Sequence, residues 1–124
     1  MSGAPRILIV EDSMMVRMTV KRTLASVEFE VDEAKDGQEG LDKALAGVPY
    51  DLILTDLNMP NMDGLTMIKN LRQTDAYKDT PIVMLTTESG EDKMSVGHEQ
   101  AVSAWLVKPF QPDALIELIG GMLF

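Results

Sequence analysis

Short runs of Ile, Val and Leu recur along the chain and alternate with stretches of helical periodicity. The five apolar runs cover residues 6–10, 28–34, 51–55, 81–86 and 104–107. Between them, apolar residues recur three or four positions apart, as at Val16, Val20 and Leu24, which is the spacing of one helix face. The pattern therefore predicts a β-α unit repeated five times.

The polarity of each run indicates how much of the strand is covered. The runs at 6–10 and 51–55 are apolar on consecutive residues, which is typical of strands packed on both faces. The run at 28–34 alternates polar and apolar residues and is expected at an edge. The prediction is an α/β fold, a doubly wound five-stranded parallel sheet with helices on both sides. In such folds, function gathers beyond the carboxyl ends of the strands.

Residues suited to helix ends support these boundaries. Ser13 can cap the first helix and Asp63 the third, and Pro112 suits the first turn of the last. The fourth helix, predicted over 91–101, has Gly97 in its interior. Because an interior glycine costs about 1 kcal/mol relative to alanine, we expect this helix to be short or mobile.

Length and composition exclude several classes of protein. A chain of 124 residues is about the size of one domain, so we expect a single domain over 1–124. The formal net charge of −9 argues against a protein that binds nucleic acid or anionic lipid. No apolar run is long enough to span a membrane, and the absence of cysteine removes disulfides and thiolate sites. Together these features indicate a soluble, globular, cytoplasmic protein.

Polar residues stand where the central strands are predicted to end. Glu11 and Asp12 follow the first run, Asp56 follows the third, Thr86 closes the fourth and Lys108 follows the fifth. Because the carboxyl ends of parallel strands share one edge of the sheet, these side chains should converge. Two carboxylates about 4 Å apart repel by roughly 4 kcal/mol at an effective dielectric near 20, so three of them need cations. Lys108 supplies one positive charge, and Mg²⁺ held by oxygen ligands suits the rest.

Such a cluster also has a chemical use. A carboxylate beside Mg²⁺ and a lysine can act as a nucleophile toward phosphorus, because the cations offset the repulsion between two anions. The product would be an acyl phosphate, and the hydroxyl of Thr86 could hydrogen-bond one of its oxygens. The strand-end pattern therefore points to phosphoryl chemistry on an aspartate.

In chain order, the motifs at the strand ends resemble those of the receiver domain of two-component response regulators. They are Glu11-Asp12, Asp56-Leu57-Asn58-Met59-Pro60 with Asp63-Gly64 behind it, Thr86, and Lys108-Pro109-Phe110. The resemblance covers essentially the whole chain. Within the family, the chain is most similar to stand-alone receivers of the chemotaxis type. It implies a flavodoxin-like fold with five helices and the strand order 2-1-3-4-5. It also implies a cis peptide bond between Lys108 and Pro109.

The resemblance implies a role for each residue of the acidic cluster. Asp56 would accept a phosphoryl group from the phosphohistidine of a histidine kinase or a phosphotransfer protein. Asp12, Asp56 and the backbone carbonyl of Asn58 would bind Mg²⁺. Glu11 would contact the ion through a water molecule.

Other residues would stabilise, tune or transmit the modification. Lys108 would pair with the phosphoryl group and Thr86 would hydrogen-bond it. Asn58 and Glu88 occupy the two positions that tune self-dephosphorylation in the family. In receivers, an aromatic residue on the fifth strand turns inward as the threonine moves. Here that residue is Trp105, whose indole is larger than the usual Tyr or Phe ring.

The first predicted helix is basic although the protein is acidic. Arg17, Lys21 and Arg22 lie on it, and one interpretation is an ordinary solvated face. The sharper hypothesis assigns Arg17 and Lys21 to docking of an acidic kinase or phosphotransfer domain, because complementary charge steers encounter.

Three alternatives to a phosphorylation switch stay open at this point. A hydrolase of the haloacid-dehalogenase type uses a similar set of groups, but its Asp-x-Asp nucleophile motif is missing from Glu11-Asp12-Ser13. A flavodoxin-like FMN binder would need a Gly- and Thr-rich phosphate cradle after Val10. A phosphorylation-independent adaptor would keep the pocket as a relic.

The leading hypothesis is a monomeric phosphoacceptor switch that catalyses only its own phosphorylation and dephosphorylation. Its partner binding would change through the face formed by the fourth helix, the fifth strand and the fifth helix. Because no effector domain follows the fifth helix, the output is expected to be a separate, unknown partner protein.

Overall fold

Five strands form the centre of the computed structural model, which describes residues 4–86 and 102–124. The strands are β1 (Arg6–Val10), β2 (Glu30–Ala34), β3 (Leu52–Asp56), β4 (Ile82–Thr86) and β5 (Ala104–Val107). All neighbouring strands pair in parallel, in the order β2-β1-β3-β4-β5. The predicted doubly wound α/β sheet and its strand order are confirmed. The helix predicted over 91–101 lies outside the described residues.

Four helices accompany the sheet in the described ranges: α1 (Met14–Ala25), α2 (Gly37–Leu45), α3 (Gly64–Arg72) and the C-terminal helix α4 (Pro112–Leu123). The Ser13 hydroxyl accepts from the Val16 N–H at 3.3 Å, and the Asp63 carboxylate accepts from the Thr66 N–H at 2.7 Å. Pro112 lies in the first turn of α4. All three predicted helix starts are confirmed. Within the described ranges, no helix combines the length and apolar character that crossing a membrane requires.

The core lies on both faces of the sheet, because successive side chains of a strand point to opposite sides. Leu8 and Val10 pack on one face with residues of α2 and α3. Ile7 and Ile9 pack on the other face with residues of α1 and α4. All four side chains are fully buried, which explains why the first strand is apolar at consecutive positions.

The second strand begins two residues later than predicted, at Glu30 rather than at Glu28. Glu28 has a φ of 66°, in the left-handed region. Its N–H donates to the Ala25 carbonyl at 3.0 Å, and the Phe29 N–H donates to the Leu24 carbonyl at 3.1 Å. These bonds close the end of α1, so Glu28 belongs to the helix terminus. The prediction of a strand from residue 28 is wrong because the hydrophobic pattern carries no information about φ.

Two glycines let neighbouring backbone segments pass close to the loop between β3 and α3. A Cβ atom on Gly64 would lie 2.1 Å from the Asp56 carbonyl oxygen, and one on Gly37 would lie 2.3 Å from the Met62 carbonyl oxygen. The Gly64 N–H donates to the Leu57 carbonyl at 2.8 Å, and the Gly37 N–H donates to the Met62 carbonyl at 2.9 Å. The loop that follows Asp56 is therefore held at both ends.

Candidate functional site

Three carboxylates meet at the carboxyl edge of the sheet, where β1 and β3 lie side by side. Glu11 and Asp12 directly follow β1, and Asp56 is the last residue of β3. Each contributes an oxygen that lies within 4.8 Å of the other two. Glu11 is 1% exposed and Asp56 is 9% exposed, whereas Asp12 is open to solvent. The structure thus brings together the three acids that the strand ends predict.

Lys108 follows β5 and reaches across β4 to this acidic cluster. Its Nζ lies 3.0 Å from Glu11 Oε1 and 3.5 Å from Asp56 Oδ2. Its backbone N–H donates to the Thr86 carbonyl at 2.7 Å, and its peptide bond to Pro109 is cis, as the resemblance implies. Three carboxylates facing one ammonium leave the cluster with an excess of two negative charges.

The electrostatics of the buried groups reflect that excess. Burial raises the pKa of the Asp56 carboxyl, against the opposing effects of Lys108 and of the Leu57 N–H, which donates to Oδ1 at 2.9 Å. Burial also raises the pKa of Glu11, opposed by the Ser13 N–H that donates to its Oε2 at 3.0 Å. Burial alone would lower the pKa of Lys108, but its hydrogen bonds and ion pairs with the two acids raise it. A second cation at this edge would relieve the remaining repulsion.

The donor set of the cluster fits a hard divalent ion. Its three groups are carboxylates, the oxygen ligands that Mg²⁺ prefers. The excess of two negative charges equals the charge of one such ion, and the exposed Asp12 keeps the cluster open to solvent. Asn58, whose carbonyl is the other predicted ligand, lies exposed in the loop two residues after Asp56.

Thr86 and Trp105, the predicted switch residues, occupy neighbouring strands. Thr86 is the buried last residue of β4 and pairs in register with Val107. Trp105 pairs with Met84, is half-buried, and packs against the core on the face covered by α2 and α3. It also lines a groove of about 500 Å³ with residues of α4. Glu88, the predicted tuning residue, lies outside the described residues.

The two bases predicted to dock a kinase are tied to the neighbouring strand β2. Arg17 Nε donates to Glu33 Oε1 at 2.9 Å, and Arg17 Nη1 donates to the Glu11 carbonyl at 2.6 Å. Lys21 Nζ donates to Glu33 Oε2 at 3.1 Å. These hydrogen bonds, Arg17 first and then Lys21, lower the pKa of Glu33. The Arg17 side chain is 13% exposed and that of Lys21 is 52% exposed, so the two bases differ in what they offer a partner.

Glu33 is the hydrogen-bond acceptor for both Arg17 and Lys21, and no sequence motif identifies it. It is separated from Arg17 by 16 residues and lies on an edge strand, where the alternating pattern indicates only an exposed acid. The parallel pairing of β1 with β2 brings it beside α1. The one sequence feature that points to this pairing is an acid on the strand that follows a basic helix.

An apolar surface adjoins the acidic cluster on α1. The side chains of Met14, Met15 and Met18 are exposed large hydrophobic groups. Beside them, a cavity of about 530 Å³ opens between the start of α1 and the segment after β5, with Met15 on one side and Lys108 and Phe110 on the other. This cavity leads from the helix surface to the lysine of the cluster.

Known proteins are similar to this chain over almost its whole length. A family model described as the response regulator receiver domain matches residues 7–120. Chemotaxis protein CheY1 of Helicobacter pylori is 37% identical over 113 residues, which cover 90% of this chain and 91% of that protein. The CheY homolog of Campylobacter jejuni is 35% identical over 119 residues, which cover 95% and 92%. The structure of chemotaxis protein CheY4 of Vibrio cholerae aligns with a TM-score of 0.91 at 40% identity, covering 98% of this chain and 100% of that one.

Proposed function

This chain belongs to the response regulator receiver domain family, and we propose that its Asp56 carboxylate accepts a phosphoryl group from a phosphohistidine. Family membership makes the protein a response regulator of a two-component system of the chemotaxis type. One observation carries the proposal: a mostly buried strand-end carboxylate with an ammonium group 3.5 Å away and two further acids beside it.

In the proposed transfer, a carboxylate oxygen of Asp56 attacks the phosphorus atom of the phosphohistidine. An O–P bond forms as the N–P bond breaks, and the electron pair of the broken bond stays on the imidazole nitrogen. Lys108 offsets part of the negative charge that the phosphoryl group brings to the cluster. Thr86, at the end of the adjacent strand, is the proposed hydrogen-bond donor to a phosphoryl oxygen.

We propose Mg²⁺ as the cofactor, held by Asp12, Asp56 and the backbone carbonyl of Asn58. When bound, the ion would offset the charge of the phosphoryl oxygens. The convergence of three carboxylates supports this site. Both Glu11 oxygens already accept hydrogen bonds, at 3.0 Å each, which supports an indirect role for Glu11 through water.

The phosphoryl donor is proposed to approach along α1. Receivers of this type interact with kinases and output proteins, and the donor here would be a histidine kinase or a phosphotransfer protein. The exposed side chains of Met14, Met15 and Met18 beside the cavity support an apolar contact there. Lys21 is the half-exposed base that would add electrostatic steering.

The proposed output is a change in partner binding on the face that carries Trp105. Phosphorylation of Asp56 would act on Thr86 and Trp105, which lie on adjacent strands, and Trp105 also lines the groove beside α4. Self-dephosphorylation, in which water attacks the phosphorus atom and the Asp56 carboxylate leaves as inorganic phosphate is released, would be tuned at Asn58 and Glu88. The protein is therefore proposed to act as a switch that modifies only itself, in the cytoplasm.

Family membership argues against the hydrolase and the FMN binder. The phosphorylation-independent adaptor has the same fold, so a chemical test must separate it from the switch.

Labelling with radioactive acetyl phosphate in the presence of Mg²⁺ provides that test. The wild type should acquire an alkali-labile acyl phosphate, and Asp56→Asn should acquire none. Asp63→Asn is the matched control, because asparagine caps a helix about as well as aspartate and the cluster is left intact. Retained labelling of Asp56→Asn would reject Asp56 as the acceptor. A wild type that binds Mg²⁺ but is never labelled would favour the adaptor.

A further inference from the structure

The guanidinium group of Arg17 joins α1 to the ends of two strands. Arg17 is the fourth residue of α1, and helix side chains point back toward the N-terminus of their helix. It therefore reaches the segment after β1, where Nη1 donates to the Glu11 carbonyl at 2.6 Å, while Nε donates to Glu33 at 2.9 Å. Because the side chain is mostly buried, it presents little surface to a docking partner.

The contact from Arg17 completes the hydrogen bonding of Glu11. The Glu11 N–H donates to the Ala34 carbonyl at 3.0 Å. One of its carboxylate oxygens accepts from the Ser13 N–H and the other from Lys108. Its carbonyl oxygen accepts from Arg17. Each polar group of this buried residue thus takes part in a hydrogen bond. Arg17 donates to the carbonyl oxygen, which belongs to the peptide group that joins Glu11 to Asp12.

The orientation of that carbonyl determines how the chain enters Asp12. The peptide group is planar, so a fixed Glu11 oxygen fixes the plane that contains the Cα atoms of residues 11 and 12. Ser13, on the far side, caps α1. The Asp12 side chain is exposed, and its direction toward Asp56 follows from the backbone that carries it.

We propose that Arg17 is a positioning residue for the metal-binding carboxylates, acting through the Glu11 carbonyl, and that it is not a docking contact for the kinase. The inference rests on the proposed Mg²⁺ site. Without Arg17, the buried carbonyl loses this donor, and the peptide group can rotate to find another. Asp12 and Glu11 would then no longer present their oxygens together with Asp56.

Lys21 provides the matched control on the same helix. It binds the other oxygen of Glu33 at 3.1 Å and lies about one turn further from Glu11. Replacing either base with alanine removes one positive charge and one ion pair with Glu33. Only the replacement of Arg17 also removes the bond to the Glu11 carbonyl.

The first measurement is Mg²⁺ affinity by calorimetric titration of the wild type, Arg17→Ala, Lys21→Ala and Arg17→Lys. Arg17→Ala should bind Mg²⁺ about tenfold more weakly, as is typical when the partner of a metal-binding group is lost. Lys21→Ala should stay within about twofold of the wild type, because exposed ion pairs contribute little. Arg17→Lys keeps the charge but not the two directed bonds, so it should fall between them. Circular dichroism confirms that each variant is folded.

The second measurement is labelling by acetyl phosphate as a function of Mg²⁺ concentration. A docking role for Arg17 predicts no change in either experiment, because neither contains a protein donor. A positioning role predicts that Arg17→Ala needs more Mg²⁺ for half-maximal labelling and approaches the wild-type rate at saturation. Equal Mg²⁺ affinities for Arg17→Ala and Lys21→Ala would overturn the inference. A wild type that binds no Mg²⁺ would instead overturn the proposed metal site itself.

Discussion

The two ends of the sheet both carry clusters of charged residues, but the clusters are built differently. At the amino end, the Arg6 guanidinium lies 4.6 Å from the ring centroid of Tyr50 and donates to the Val48 carbonyl at 2.6 Å. It also lies 3.6 Å from Asp32, which is halfway along β2. The Tyr50 hydroxyl donates to Asp32 at 2.7 Å, and the Arg6 N–H donates to Asp51 at 2.8 Å. Asp32 and Asp51 therefore each accept a hydrogen bond at 2.8 Å or less.

At the carboxyl end, three acids converge within 4.8 Å of one another beside a single cation. Glu11, Asp12 and Asp56 share Lys108, and burial raises the pKa of both Glu11 and Asp56. Polar groups that serve stability alone satisfy one another, as at the amino end. Polar groups that are placed to bind a ligand instead leave an excess of charge, which the bound ligand would offset. Because ion-pair networks that serve stability also shift pKa values, the convergence of three acids on one cation, together with the raised carboxyl pKa values, is what distinguishes the candidate site.

The two ends of the sheet differ in how closely other atoms approach a glycine. A Cβ atom on Gly64, at the carboxyl end, would lie 2.1 Å from the Asp56 carbonyl oxygen, whereas one on Gly47, in the loop after α2, would meet nothing within 4 Å. We expect Gly64→Ala to lower the free energy of unfolding by about 3 kcal/mol. Gly47→Ala should change it by less than about 1 kcal/mol. Urea denaturation measures both, and equal effects would contradict the close approach at Asp56.

The cluster at the amino end should show its effect on stability at high pH. Burial, followed by the hydrogen bond and charge of Asp32, raises the pKa of Tyr50 to about 12. The unfolded chain loses this proton near pH 10, so the folded state binds more protons between those values. The stability contributed by Tyr50 is fully present below about pH 10 and is lost as the pH rises toward 12.

Tyr50→Phe has no proton to lose, so it serves as the reference for that loss. The stability advantage of the wild type over Tyr50→Phe should shrink by roughly 2 kcal/mol across this range. Chemical denaturation at a series of pH values measures the difference. Parallel pH profiles for the two proteins would show that Tyr50 ionises as freely in the folded protein as in the unfolded one.

The smallest expected effects come from neutralising one acid in each cluster, and they should have opposite signs. Without divalent cations, Asp56→Asn should raise the free energy of unfolding by on the order of 1 kcal/mol, because it removes one charge from a repulsive cluster. Asp32→Asn should lower it by on the order of 1 kcal/mol, because it weakens the bonds to Arg6 and Tyr50. Thermal and urea unfolding in EDTA measure both variants. If the two substitutions shifted stability in the same direction, the proposed difference between the ends of the sheet would be wrong.

Much of the architecture could be predicted because each step follows from local patterns. Consecutive apolar residues indicate strands covered on both faces, and parallel strands deliver their carboxyl ends to one edge. The same two rules predict from the sequence that Glu11, Asp12, Asp56 and Lys108 lie together. The start of β2 was misplaced because the left-handed backbone at Glu28 has no hydrophobic signature.

The sequence by itself therefore determined the sheet, its helices in the described ranges and the residue types at its carboxyl edge, since periodicity and composition carry that information. Only the tertiary structure decided how charges on different elements pair. Arg17 and Lys21 look equivalent as bases on one helix, yet Arg17 is buried against the Glu11 carbonyl and Lys21 is half-exposed on Glu33. Hydrogen bonds are short and directional, so which base makes them depends on the packing of α1 against β1 and β2.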